Sequence, residues 1–351
     1  MCIAAFIWQA HPLYPLLLLH NRDEYHNRPT KALAWWDVDV NGCEILGARD
    51  EVAGGTWMAC SRQGRVAFLT NVWELRHLRG AKSRGDLPLL FLKSRKSPME
   101  FGKQLAMEAH RYNGFNLIAA DIPSRSMVYI SNRPTGEPMT LQLVSPGLHV
   151  LANAKLDSPW PKALRLGQRF KQVLNKHGNK EVKVKEMVEK LMKDRVKADK
   201  TELPGICDLE WEFNHSSIFV EVDTPRGLCG TRSSAALTIR ADGEVSFYDE
   251  YLEKVRGHSQ EPVMSLDTKW EKLGLEKEEI GIWLESEKEN WKEKGGTSKE
   301  SNGVVSINGA DGLSNVIFEG HVSKGVGQGS NVINGLADLT EAMERESTLL
   351  C

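Results

Sequence analysis

The chain has 351 residues, 41% of them hydrophobic and 26% charged, the proportions of an ordinary globular protein with enough apolar area for a full core. Lys and Arg number 45 against 47 Asp and Glu, a net charge of −2, which gives no electrostatic reason to expect nucleic acid as a partner. Six cysteines in this length exclude a disulfide scaffold. No apolar run approaches the ~18–20 residues of a membrane-spanning helix, so no integral membrane segment and a cytoplasmic location are expected.

In chain order, short apolar runs bounded by turn residues predict strands at 3–8, 16–20, 44–49, 55–60, 65–70, 115–121, 127–131, 149–152, 218–222, 235–240 and 244–248. Several are joined by Gly-bearing turns, such as Arg62-Gln63-Gly64 and Ala241-Asp242-Gly243. Helices interrupt the strands. A short one is expected at 85–92. Ser97-Pro98-Met99-Glu100 reads as a capping box opening a helix to about residue 111. Ser158-Pro159 opens another that ends near Gly178, and a third is expected over 181–195. Antiparallel strands in groups with helices between them point to a layered α+β domain.

After residue 253 the composition changes. Residues 254–294 are charged with scattered tryptophans, read as a partly helical extension. Residues 295–351 are rich in Gly, Ser and Asn, read as a poorly ordered tail. Residues 1–253 are taken as the main domain.

The chemistry-bearing residues cluster at strand ends. Met1-Cys2 opens the chain. Cys2 is small enough for Met1 to be removed in processing, which would put a thiol nucleophile and an α-amine base on one residue. Asn21-Arg22-Asp23-Glu24 follows an apolar strand; an arginine there favours a thiolate. Gly54-Gly55-Thr56-Trp57 opens a strand, and Thr70-Asn71 and Asn153-Ala154 each close one, where a side-chain amide can donate to an oxyanion. Gly230-Thr231-Arg232 lies at the mouth of a late strand. The cysteines and ten histidines show no CxxC or HExxH spacing, so no metal centre is expected.

Together with Tyr112-Asn113-Gly114-Phe115-Asn116-Leu117, these motifs make residues 1–253 resemble the NRDE family, also called the transport and Golgi organisation protein 2 family. The order of polar residues is also similar to that of N-terminal-nucleophile hydrolases of the bile-salt hydrolase and acid ceramidase type. The resemblance implies an αββα sandwich. It implies Cys2, Arg22, Asp23, Asn71, Asn153 and Arg232 as catalytic candidates, and Asn21, Glu24 and Trp57 as ligand-binding candidates. It also implies roles in Golgi organisation, protein secretion, lipid homeostasis and haem trafficking, at the Golgi or in the mitochondrion, with no required cofactor. Acyl-CoA or haem is then the candidate ligand, and a cysteine amidase or thioesterase the alternative activity.

Two departures from the hydrolase pattern carry consequences. Arg22 and Asp23 are adjacent, so on a strand they point to opposite faces. The likeness fades after Glu253, which predicts that the last strand is missing and a sheet edge is exposed.

Overall fold

A computed structural model of the chain describes residues 2–36, 43–256 and 262–274. Two antiparallel sheets stack face to face. The first runs in the order β10 (Gly147–Leu151), β1 (Ile3–Trp8), β2 (Leu16–Tyr25), β12 (Gly227–Ile239), β13 (Glu244–Arg256), β14 (Pro262–Gly274), with β11 (Glu221–Thr224) also paired to β12. The second is a meander of β3 (Thr30–Trp35), β4 (Ile45–Asp50), β5 (Met58–Ser61), β6 (Arg65–Asn71), β7 (Phe115–Asp121), β8 (Ser126–Ser131) and β9 (Thr140–Leu143).

Alternation along the strands builds the layers. On β1, Ala4, Phe6 and Trp8 face the second sheet, where Phe68, Ile118 and Met58 meet them. Ile3, Ala5 and Ile7 face outward, against Leu166 and Phe170 of α3 (Pro161–His177) and Met187 of α4 (Val184–Met187). The outer face of the second sheet, with Ala67, Leu69 and Leu117, is covered by Phe91 of α1 (Asp86–Lys93) and Leu105 of α2 (Pro98–Ala106). The expected αββα sandwich is the observed architecture. Among the described residues no helix is long and apolar enough to cross a membrane.

Several expected elements change length. The capping box at Ser97 forms, with Glu100 accepting from the Ser97 backbone at 2.9 Å. Its helix stops at Ala106, with a separate 3-10 turn at Ala109–Arg111. The helix expected over 181–195 is only the single turn of α4 followed by a π turn at Val188–Met192. The strand expected at 218–222 begins only at Glu221. A fifth helix, α5 (Leu209–Asn214), begins at Asp208, whose side chain accepts from Trp211 N.

The largest correction lies past residue 253. A final strand is present: β13 continues to Arg256, and β14 pairs with it from Glu244↔Gly274 to Arg256↔Pro262. Residues 262–274, expected to be partly helical, are therefore sheet, and β13 is not an exposed edge. The remaining expectations, a helical stretch beyond 274 and a low-order tail at 295–351, lie outside the described residues.

His20, His26 and His215 are buried, and burial pulls the first two down to about 4 and the third to about 3. Their folded pKa values lie below the unfolded ~6.5, so their stabilising share is present above that pH and is lost as pH falls. Stability, read as urea midpoints from pH 7.5 to 4.5, is expected to drop by up to ~3 kcal/mol per histidine. The slope should be shallower in His20→Gln; a flat wild-type profile would contradict this assignment.

Candidate functional site

Cys2 stands immediately before β1. The β1–β2 register pairs Ile3 with Asn21, and one residue on it sets Cys2 beside Arg22. Both face the space between the sheets, as Ala4 and Phe6 do. Cys2 is buried and lines a cleft of about 490 Å³ at the open end of the sandwich. Burial raises its thiol above the ordinary range. The chain-terminal charge, a hydrogen bond from the Asp23 backbone amide and the Arg22 guanidinium act in the opposite direction, while the Asp23 carboxylate adds to the rise.

Arg22 crosses from the first sheet to the second. It donates to Thr30 Oγ1 on β3 at 2.7 Å and to Asp50 Oδ2 on β4 at 2.9 Å. Its guanidinium lies 3.8 Å from the centre of the Trp57 ring. Burial works to raise the Asp50 carboxyl, but the Arg28 hydrogen bond, backbone donation from Ala53 and the Arg28 and Arg22 charges leave it below the usual range. The Gly54-Gly55-Thr56-Trp57 motif makes this contact reachable. A Cβ on Gly55 would lie 2.5 Å from the Gly85 carbonyl carbon, and Thr56 N donates to Gly85 O at 3.0 Å. Only a glycine allows that approach, which seats Trp57 over Arg22.

Asp23 points to the opposite face from Arg22, as strand alternation requires. Thr231 Oγ1 donates to Asp23 Oδ1 at 2.7 Å. Burial raises the Asp23 carboxyl, against the pull of the chain-terminal charge and Lys162. Both side chains still line the cleft, because it opens where the strand leaves the core. Opposite them β12 bulges. Thr231 pairs with Asp23 and Ser233 with Arg22, so Arg232 is the extra residue. Gly230 is also obligatory, since a Cβ there would lie 2.1 Å from Val220 O.

Asn71, Glu24 and Trp57 line the same cleft. Asn153 does not line it. It is 1% exposed, its Nδ2 donates to Asn71 O at 3.0 Å, and its Oδ1 accepts from Lys162 Nζ at 3.0 Å. Asn153 therefore holds Asn71 from behind. Arg232 lines an adjoining cavity that shares Arg22 and Trp57 with the cleft. Asn21 is buried, and its amide donates to Met192 O and Ile218 O at 2.8 and 2.9 Å. That pins the end of the π turn to β2 and leaves no donor for a ligand.

Sequence reasoning missed Lys162, Asp50, Arg28 and Arg84. Lys162 is 3% exposed; burial lowers its pKa, against Asp23 and Cys2. Its only sequence signal is its place in the first turn of a Pro-initiated helix. Arg84 lines the cleft and donates to Gly114 O at 3.0 Å. Among the described residues no group of three or more His, Cys, Asp or Glu side chains is placed to hold a metal ion.

The remaining motif residues are struts. Asn116 donates to Thr70 Oγ1 at 3.2 Å and to Ala154 O at 2.8 Å, and accepts from Tyr129 Oη at 2.8 Å. Thr70 Oγ1 in turn donates to Ala152 O. This net clamps the Asn153 loop against Asn71. Asn116→Leu leaves several buried groups unmet, and a loss of about 2–4 kcal/mol in urea denaturation is expected. A change under ~0.5 kcal/mol would show that the net does not hold the loop.

The profile of the family described as Transport and Golgi organisation 2 matches residues 1–254. A Transport and Golgi organization 2 homolog from Mus musculus is 33% identical over 266 residues, covering 72% of this chain and 93% of its own. The Homo sapiens protein of similar name is 32% identical with the same coverage. The Drosophila melanogaster Transport and Golgi organization protein 2 is 23% identical over 79% of this chain and 98% of its own. Among solved structures, a conjugated bile acid hydrolase from Clostridium perfringens superposes at TM-score 0.41 and 10% identity, over 78% of this chain and 97% of its own. A Caenorhabditis elegans N-acylethanolamine-hydrolyzing acid amidase ortholog does so at 0.37 and 14%, over 54% of this chain and 84% of its own.

Proposed function

This chain belongs to the Transport and Golgi organisation 2 family, and from the site that its motifs build we propose that Cys2 is a nucleophile for acyl groups. The observation that carries this reading is the placement of Cys2 in the cleft. The Asp23 backbone amide bonds its sulfur, the Arg22 charge acts on it, and Asn71 lines the same wall.

Removal of Met1 frees the Cys2 α-amine, which takes the thiol proton directly or through a water. Arg22 favours the resulting thiolate. The sulfur attacks the carbonyl carbon of an amide or thioester, and a C–S bond forms as the carbonyl electrons move to oxygen. The Asn71 amide donates to that oxygen. On collapse the C–N or C–S bond of the substrate breaks, and the α-ammonium gives its proton to the departing amine or thiolate. Water then attacks the acyl-cysteine and releases the acid. Asp23 orients the amine, and Asn153 and Lys162 act through Asn71's position.

A part in Golgi organisation, secretion or lipid handling would follow from removing or carrying acyl groups, acyl-CoA included. Carriage without turnover is the same site stopped at the bound or acylated state. The wall of Arg22, Arg28, Arg84, Asp23 and Asp50 suits a polar carbonyl better than the broad apolar face of a haem.

Purified protein incubated with p-nitrophenyl octanoate, then read by intact mass, should start at Cys2 and carry one octanoyl group there. Cys2→Ala should carry none, and Asn71→Ala should acylate about 10²-fold more slowly. Retention of Met1, or equal acylation of Cys2→Ala, would contradict the reading.

A further inference from the structure

Arg22, Arg28 and Trp57 form a wall common to the Cys2 cleft and a second cavity of about 270 Å³. His26, Thr30, Arg232 and Asp249 line the far side of this second cavity. Three guanidinium groups meet there. Arg22 and Arg28 share Asp50, and Arg28 also lies 3.6 Å from Glu24. Among the described residues, Arg232 has neutral acceptors only: Arg28 O, Thr30 Oγ1 at 3.1 Å and Leu252 O at 3.2 Å.

Arg232 is 7% exposed, and its Nε has no partner among the described residues. His26 is also 7% exposed, with both ring nitrogens unpartnered among the described residues. Among the described residues, the three guanidinium groups thus share the charges of Asp50 and Glu24, with an orphaned N–H donor on Arg232 and a ring N–H on His26. Asp249 is not among the charges acting on Arg232, which are those of Arg22, Glu24, Asp50 and Arg28, and burial raises its own carboxyl to about 7. Lys31 and Glu51 complete the rim with opposite charges. A buried guanidinium that shares its counter-charges with two other arginines is costly, and its planar donors match an anion that offers two oxygens.

We propose that this cavity binds an oxyanion, a carboxylate or phosphate, carried as the head of the ligand whose carbonyl lies at Cys2. The anion site stands on its own geometry; its joining to an acyl chain rests on the Cys2 reading.

Calorimetric titration of the full chain at fixed ionic strength tests both parts, with inorganic phosphate, dodecyl phosphate, dodecanoate and dodecanol as probes. Phosphate should bind saturably, at least tenfold more weakly to Arg232→Met, and unchanged to Cys2→Ala. Absence of saturable phosphate binding, or equal binding by Arg232→Met, overturns the site. Where Arg232→Met does not fold, Arg232→Lys keeps the charge and loses the fork. Weaker phosphate binding is then the expected result, and equal binding overturns the site. Dodecyl phosphate or dodecanoate should bind at least tenfold more tightly than phosphate and than dodecanol. Equal affinity for dodecyl phosphate and phosphate overturns the shared-ligand part. Phosphate binding without any acyl adduct at Cys2 overturns only the nucleophile reading.

Discussion

The Arg22 side chain joins the two sheets at the site. Its backbone belongs to β2 in the first sheet, and its acceptors, Thr30 and Asp50, belong to β3 and β4 in the second. A buried cation tolerates this position only because a carboxylate, a hydroxyl and the Trp57 ring face meet it together. Removing Asp50 leaves the buried Arg22 charge without its carboxylate. The cleft beside Cys2 and the cavity beside Arg232 are the two sides of this one bridge. The Trp57 ring contact and part of the field at the Cys2 sulfur follow from its geometry.

The residues around this bridge divide the labour by strand alternation. On β2, Asn21 and Asp23 face the helical layer, where Asn21 fastens the chain near Met192 and Ile218 and Asp23 meets Thr231. Arg22 faces the other sheet. A single extra residue in β12 then places Arg232 over the same gap without displacing Thr231 or Ser233 from register. Adjacency of Arg22 and Asp23 is therefore no obstacle to a shared site. Each reaches the cleft from its own face, and the bulge brings Arg232 to the adjoining cavity.

Much of this was legible in the sequence. Alternating apolar runs and Gly-bearing turns marked most strands, and Ser97 with Glu100 marked a helix start that the structure reproduces. The motifs pointed to Cys2, Arg22, Asp23, Asn71, Glu24 and Trp57, which do share a cleft. Local signals misled where a partner decides the outcome. Asn21 looks like a site residue in sequence, yet both its bonds go to carbonyls about 170 and 200 residues away. Asn153 is read as an oxyanion donor until Lys162 and Asn71 O take up its amide. The charged stretch after Glu253 has no clean alternation, and β14 forms because β13 offers a full row of backbone partners. Asp50 had no local signal and Lys162 only its place in a first helical turn, since their importance comes from charges brought near by folding.

A double-mutant cycle on Arg22→Met and Asp50→Leu, read by urea denaturation and by the iodoacetamide alkylation rate of Cys2 at pH 7, tests the bridge most directly. Each single variant should lose about 3–5 kcal/mol, with the pair recovering at least ~2 kcal/mol relative to their sum. Arg22→Met should also slow Cys2 alkylation, because the charge that favours the thiolate is gone. Additivity within ~0.5 kcal/mol, together with an unchanged alkylation rate, would contradict the claim that this ion pair holds the sheets and tunes the nucleophile.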